Sequence, residues 1–203
     1  VDVWDVIRLA NKHPRVNVLK PGPGVGGHCI PVDPNFLSNA NPFITELIQT
    51  ARRVNERMPH LVARLVDEAL FPARSGSKIA LLGAAYKANV DDTRESPAFA
   101  LLRLLQERRN TVTVYDPIAR GGDFPLSASL EDAVRDADLI VLVTDHAVFR
   151  EIEPGGIAPL LRRKILLDTR DLLDREAWSA AGFTVHTLGV RHAAVMLEAA
   201  KTA

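Results

Sequence analysis

Apolar residues recur every three or four positions in the first third of the chain, then give way to short unbroken apolar runs alternating with helical patterns. Val3, Ile7 and Ala10 predict a short helix over residues 1–12, with no capping residue evident at its start. In VNVLKPGPGVGGHCIPVDPNF, Pro21, Pro23, Pro31 and Pro34 exclude a regular helix or a central strand, so this stretch is expected to be a shaped loop. From Pro42 to Phe71 apolar positions include Ile44, Leu47, Ile48, Ala51, Val54, Met58, Leu61, Val62, Leu65, Val66, Ala69 and Leu70. That spacing predicts one long amphipathic helix, bent near Pro59.

The period changes after the turn-rich ARSGS (73–77). KIALLG, TVTVYDP, DLIVLVTDH, KILLDTR and FTVHTLG predict strands, while SPAFALLRLLQERRN, LEDAVRDA and DREAWSAAG predict the helices between them. Ser96 is placed to cap its helix, with Pro97 at the first helical position. This alternation predicts an α/β fold: a Rossmann-like parallel sheet covered by helices over 73–203, preceded by a helical unit over 1–72 that contains the loop and the long helix.

Composition narrows the function classes. The 203 residues carry 25 Lys+Arg against 25 Asp+Glu, a formal net charge of +0, so no long-range field draws the chain to nucleic acid or to an anionic membrane. An anionic ligand must be held by a local cluster of donors. The longest apolar run is too short to span a bilayer and VDVWDVIRLA lacks the features of a signal peptide, so a cytoplasmic protein is expected. Cys29 is the only cysteine, which leaves no intrachain disulfide. His13, His60, His146, His186 and His192 lack metal-ligand spacing, so no metal site is expected.

Gly22, Gly24 and Gly27 spell GxGxxG, but prolines interrupt them and HCIPVDP follows where a dinucleotide fingerprint needs a helix. The glycines instead allow close backbone approach to a ligand and an exposed Cys29 in a cleft; the alternative is a buried structural thiol. Asp33 can manage a proton near that sulfur, or cap a helix that begins at Pro34. His28 can tune the thiol or simply donate a hydrogen bond. Lys87, Arg94 and Arg170 follow predicted strands, where open α/β sheets bind ligands, and together suit phosphate oxygens. Asp91, Asp92 and Glu95 can equally pair with Arg94.

GVGGHCIPVDP, ARRVNERMP, LLGAAYKANVDDTRESPA and LLDTR together resemble the nucleotide-sugar 6-dehydrogenases, a family acting on UDP-glucose, GDP-mannose and UDP-N-acetylhexosamines. The GHC and VDP versions, preceded by NKHPRVNVLKPGPG, are most similar to the UDP-N-acetylmannosamine branch. The resemblance implies oxidation of a sugar C6 alcohol to a carboxylate with NAD, through a thiohemiacetal and then a thioester on Cys29, with Asp33 assisting hydrolysis. It implies sugar contacts from the backbone at Gly26, diphosphate contacts from Lys87 and Arg170, and a cofactor-phosphate contact from Arg94. Arg15 corresponds to an arginine donated across the family's dimer, at an offset from the cysteine different from that in the glucose branch.

Two departures shape these expectations. Val32 and His28 stand where glucose- and mannose-oxidising relatives carry a lysine and a serine. The NAD-binding domain and a helix bearing another catalytic lysine and asparagine would lie upstream of Val1. The chain is therefore expected to be the C-terminal portion of such an enzyme, inactive alone, binding a UDP-N-acetylhexosamine and dimerising through the long helix. The competing expectations are a non-catalytic UDP-sugar-binding module and a dimerisation scaffold.

Overall fold

The apolar runs do become strands. The computed structural model describes residues 1–73, 75–121 and 124–190. In it β1 (Lys78–Leu82), β2 (Thr111–Tyr115), β3 (Leu139–Leu142), β4 (Ile165–Asp168) and β5 (Thr184–Thr187) form one sheet in the order β2-β1-β3-β4-β5. Every pairing is parallel, and Leu82 stands beside both Tyr115 and Leu142, while Leu142 stands beside Asp168. The strands therefore finish together, and the residues after them gather along one edge.

Side chains alternate across the sheet as strand geometry requires. Ile79, Leu81, Leu139, Val141, Ile165 and Leu167 face one way, packing with Val62, Val66 and Leu70 and with Leu101 and Leu105. These come from α4 (Met58–Leu70) and α5 (Pro97–Glu107). Ala80, Leu82, Ile140, Leu142 and Leu166 face the other way, against Val134, Ile157 and Trp178. These come from α6 (Leu130–Val134), α7 (Pro154–Ile157) and α8 (Arg175–Ala180). With both faces covered, the strands need no polar alternation, which is why they read as continuous apolar runs. Ser96 caps α5 as its position predicts, accepting the Ala98 N–H at 3.3 Å.

Two features correct the sequence reading. The helix expected from Pro42 to Phe71 is two helices, α3 (Glu46–Glu56) and α4, separated at Arg57. Pro59 is tolerated in the first turn of α4, where its missing N–H has no intrahelical partner to lose. The first helix, α1 (Val3–Ala10), is capped after all: the Asp2 carboxylate accepts the Trp4 N–H at 2.8 Å. Asp2 also pairs with Arg175 at 2.9 Å, and the Trp4 indole donates to the Leu188 carbonyl at 2.8 Å. Together these bonds strap α1 to the start of α8 and to the exit of β5. Among the described residues no helix is long and apolar enough to cross a membrane.

Candidate functional site

In a sheet ordered 2-1-3-4-5 the strand connections diverge between β1 and β3, leaving a crevice at their carboxyl ends. The glycine-rich segment 21–29 lies in that position. Pro23 and Gly24 line a narrow crevice with Ala85, Tyr86, Asp145 and Arg170. The segment is fixed at successive points. The Arg170 guanidinium donates to the Pro21 carbonyl at 3.3 Å, and Asn55 of α3 exchanges two bonds with Val25, accepting its N–H at 2.8 Å and donating to its carbonyl at 3.3 Å. The Gly27 N–H donates to the Arg94 carbonyl at 3.1 Å. A side chain at Gly26 would run into the Glu95 carbonyl, so that approach requires glycine, whereas one at Gly22 would displace the Arg170 guanidinium.

Cys29 follows the last of these clamps and its thiol is free and exposed, which removes the buried-thiol alternative. Its carbonyl accepts the N–H groups of Val32 (3.0 Å) and Asp33 (2.8 Å) as the chain turns into α2 (Asp33–Ala40). Asp33 is exposed and is the first residue of α2; the capping position belongs to Val32, which offers no side-chain acceptor. His28 and Val32 line a cleft of about 540 Å³ with Arg52, Glu56, Arg94 and Arg103, on the α3 and α5 side of the loop. Cys29 itself is not in the cleft wall.

The three predicted cations have different surroundings. Arg170 is partly buried, held to Asp145 through Nε (3.1 Å) and Nη2 (2.9 Å). With Pro21 this occupies three of its five N–H donors and leaves two. The Asp168 carboxylate turns the chain there by accepting the N–H groups of Arg170, Leu172 and Leu173 at 2.8 to 2.9 Å, although burial pushes its pKa above the ordinary 3.8. Arg94 pairs with Asp92, with a closest approach of 2.6 Å; that bond is the main cause holding the Asp92 carboxyl down at about 2. Arg94 is exposed and Asp92 partly so, and the arginine can exchange partners at small cost. Lys87 is exposed and has no ion pair among the described residues. Arg15 lies in an exposed segment and its backbone N–H donates to the His13 ring. The structure thus gathers Gly26, Arg94 and Arg170 around the glycine loop, places Cys29 just beyond it, and leaves Arg15 apart. His192 lies outside the described residues.

Sequence reasoning missed the side chains that hold these groups. Asn55 staples the loop and Asp145 orients Arg170. Asp116, at the exit of β2, meets His146 at 2.9 Å, both fully buried. The available signal was position: each of Asp116, Asp145 and His146 closely follows a strand.

The described residues do not form a cradle for NAD. β1 ends at Leu82 and the next helix starts only at Pro97, so no helix N-terminus meets the first strand exit where a pyrophosphate would rest. The glycine segment leads into Cys29 and α2 instead of issuing from a strand.

The chain is similar to known proteins along nearly its whole length. Against the UDP-N-acetyl-D-mannosamine dehydrogenase of Methanococcus maripaludis it is 45% identical over 193 residues, covering 93% of this chain and 45% of that protein. Against the NDP-N-acetyl-D-galactosaminuronic acid dehydrogenase of Ralstonia solanacearum it is 43% identical, covering 89% of this chain and 41% of that protein. The solved structure of UDP-D-ManNAc dehydrogenase from Pyrococcus horikoshii superposes with a TM-score of 0.83 at 42% identity, over 93% of this chain and 44% of that one. The chain thus spans under half the length of these relatives. Residues 1–57 match the central domain, and residues 80–175 the UDP binding domain, of one family. With the glycine loop joining those two matched regions at the strand ends, the chain belongs to the UDP-glucose/GDP-mannose dehydrogenase family.

Proposed function

We propose that this chain is the thiol-bearing, substrate-binding portion of a UDP-N-acetylhexosamine 6-dehydrogenase of the mannosamine type. In this reading residues 1–72 are the C-terminal part of a central helical domain and residues 73–203 are a UDP-sugar-binding domain. The observation that carries it is the exposed Cys29 at the end of a glycine loop pinned to the β1/β3 crevice beside Arg170. Nucleotide-sugar phosphates at that crevice would find the two remaining donors of Arg170, with the exposed ammonium of Lys87 one residue beyond the crevice-lining Tyr86.

The chemistry assigned to the chain is covalent. The Cys29 sulfur adds to the C6 aldehyde to give a thiohemiacetal; after oxidation to the thioester, water attacks the acyl carbon and the sulfur leaves as thiolate. Asp33, four residues away, takes the proton of that water. NAD supplies the hydride acceptor when bound, and in this proposal it is held mainly by residues outside this chain, with Arg94 reaching its phosphate side. The chain alone is then inactive. Arg15 is assigned to the active site of a partner copy, with self-association through the helical unit.

Titration calorimetry with UDP tests the binding half of this proposal. The expected result is saturable heat that Lys87→Ala and Arg170→Ala each weaken by about tenfold, the loss of one charge-assisted contact; no heat with UDP overturns it. The chemical half is tested by adding the cofactor domain of a relative as a separate chain. NADH production from UDP-N-acetylmannosamine that Cys29→Ser abolishes supports the enzyme, and binding without turnover supports a non-catalytic module.

A further inference from the structure

Three strand exits converge on one carboxylate. Asp116 Oδ2 accepts the N–H groups of Ala84 (2.7 Å) and Ala85 (3.0 Å) after β1, and Oδ1 accepts those of Ile118 (2.9 Å) and Ala119 (2.8 Å) after β2. His146, after β3, meets Oδ2 through Nε2 at 2.9 Å. Its other nitrogen, Nδ1, accepts the Asn89 N–H at 2.9 Å. A ring nitrogen that accepts carries no proton, so the imidazole is the tautomer protonated on Nε2, donating to Asp116. The side chain of Asn89 then returns to the same turn, accepting the Ala147 N–H at 2.9 Å, and Thr144 donates to the Ala85 carbonyl at 2.7 Å.

These bonds bracket one exposed residue. Lys87 lies between Ala85, fixed by Asp116 and Thr144, and Asn89, fixed by His146. Lys87 directly follows Tyr86, which lines the crevice, in a loop with no regular structure of its own, and Asn89 occupies the left-handed region at φ 60°, which few residues other than glycine and asparagine hold without strain. We infer that Asp116 and His146 are positioning residues that fix the 84–89 loop so that Lys87 presents its ammonium to the anionic groups of a nucleotide diphosphate. The inference rests on the reading of Lys87 as a diphosphate contact given above. It adds that a buried pair, which itself touches no ligand, sets the affinity.

A double-mutant cycle with UDP as the probe separates positioning from general support of the fold. In the 203-residue chain, His146→Gln is expected to weaken UDP binding about tenfold while thermal unfolding stays cooperative. In a Lys87→Ala background the same substitution should change affinity less than about twofold, because the group it positions is gone. Binding by His146→Gln within about twofold of the unsubstituted chain overturns the inference, as does a tenfold loss that persists without Lys87. Should His146→Gln fail to fold, Asn89→Gly carries the test: it lies at the surface, keeps the positive φ and removes only the bond to Ala147. It is expected to weaken UDP binding about threefold, an effect that also vanishes in the Lys87→Ala background, and an unchanged affinity overturns the inference. If the unsubstituted chain does not bind UDP, the reading of the site falls and this inference with it. UDP binding that depends on Lys87 but not on His146 or Asn89 overturns the inference alone.

Discussion

Residues 1–57 and the sheet body that follows treat similar side chains in opposite ways. Among the described residues, Trp4 is the only member of the buried apolar core from the first region, whereas Phe43, Ile44 and Leu47 are 92%, 83% and 83% exposed. In the body, Leu101, Leu139 and Ile140 are fully covered, and among the described residues Phe71 and Val148 are its only large apolar side chains left exposed. The division runs through the former single helix: α4 sinks Val62, Val66 and Leu70 into the core, while α3 holds no buried residue. A helical stripe states that a face needs cover. It does not state whether the cover comes from the same chain.

The contrast yields graded expectations. Leu101→Ala should cost the body about 2 to 5 kcal/mol in urea denaturation, the range for a truncated core leucine. Asp116→Asn should cost about 1.5 to 3 kcal/mol at pH 7, because it replaces a carboxylate bonded to His146 and to backbone N–H groups. Burial pushes that carboxyl up, but the His146 bond and then the N–H bonds pull it further down, leaving it well below the ordinary 3.8. A depressed folded-state pKa contributes stability that is complete above the unfolded value and is lost as pH falls through the folded one. The gap between Asp116→Asn and the parent should therefore narrow in acid, and a gap that widens there would contradict the assignment.

Asp2→Ala should cost about 1 kcal/mol, the usual worth of a cap. It should release α1 with the sheet intact, read as a red shift of Trp4 emission before the main unfolding transition. Leu47→Ala should change stability by less than about 0.5 kcal/mol. Leu47→Asp should instead act on association, converting a dimer seen by light scattering into a monomer. A species whose mass Leu47→Asp leaves unchanged would assign the cover of this face to something other than a second copy.

Much of the body was legible because its signals are local. A buried parallel strand is a run such as DLIVL, and a helix start can be read from Ser96 followed by Pro97. The misses were of two kinds. Pro59 signalled a bend here but not its extent: the full division at Arg57 follows from packing, with α4 along the sheet and α3 stapled to the loop through Asn55. The other misses are partnerships across long separations. Asp2 reads as an ordinary acid until Arg175 is brought beside it, and Asp116 as part of a turn until His146 arrives from 30 residues away. Of the candidate site, the glycines, Cys29 and Arg170 were legible from motif and position. The residues that hold them in place were not.

The pinned glycine loop has a consequence for any ligand it serves. Its final clamp is at Gly27 and the turn into α2 closes on the Cys29 carbonyl, so the sulfur rides on a two-residue arm anchored at both ends. Such an arm reaches only a narrow shell of positions, fixed by the same framework that orients Arg170. Under the function proposed above, a sugar nucleotide held there would be measured like a part in a gauge, admitted only when its length from phosphate to terminal carbon matches the gap.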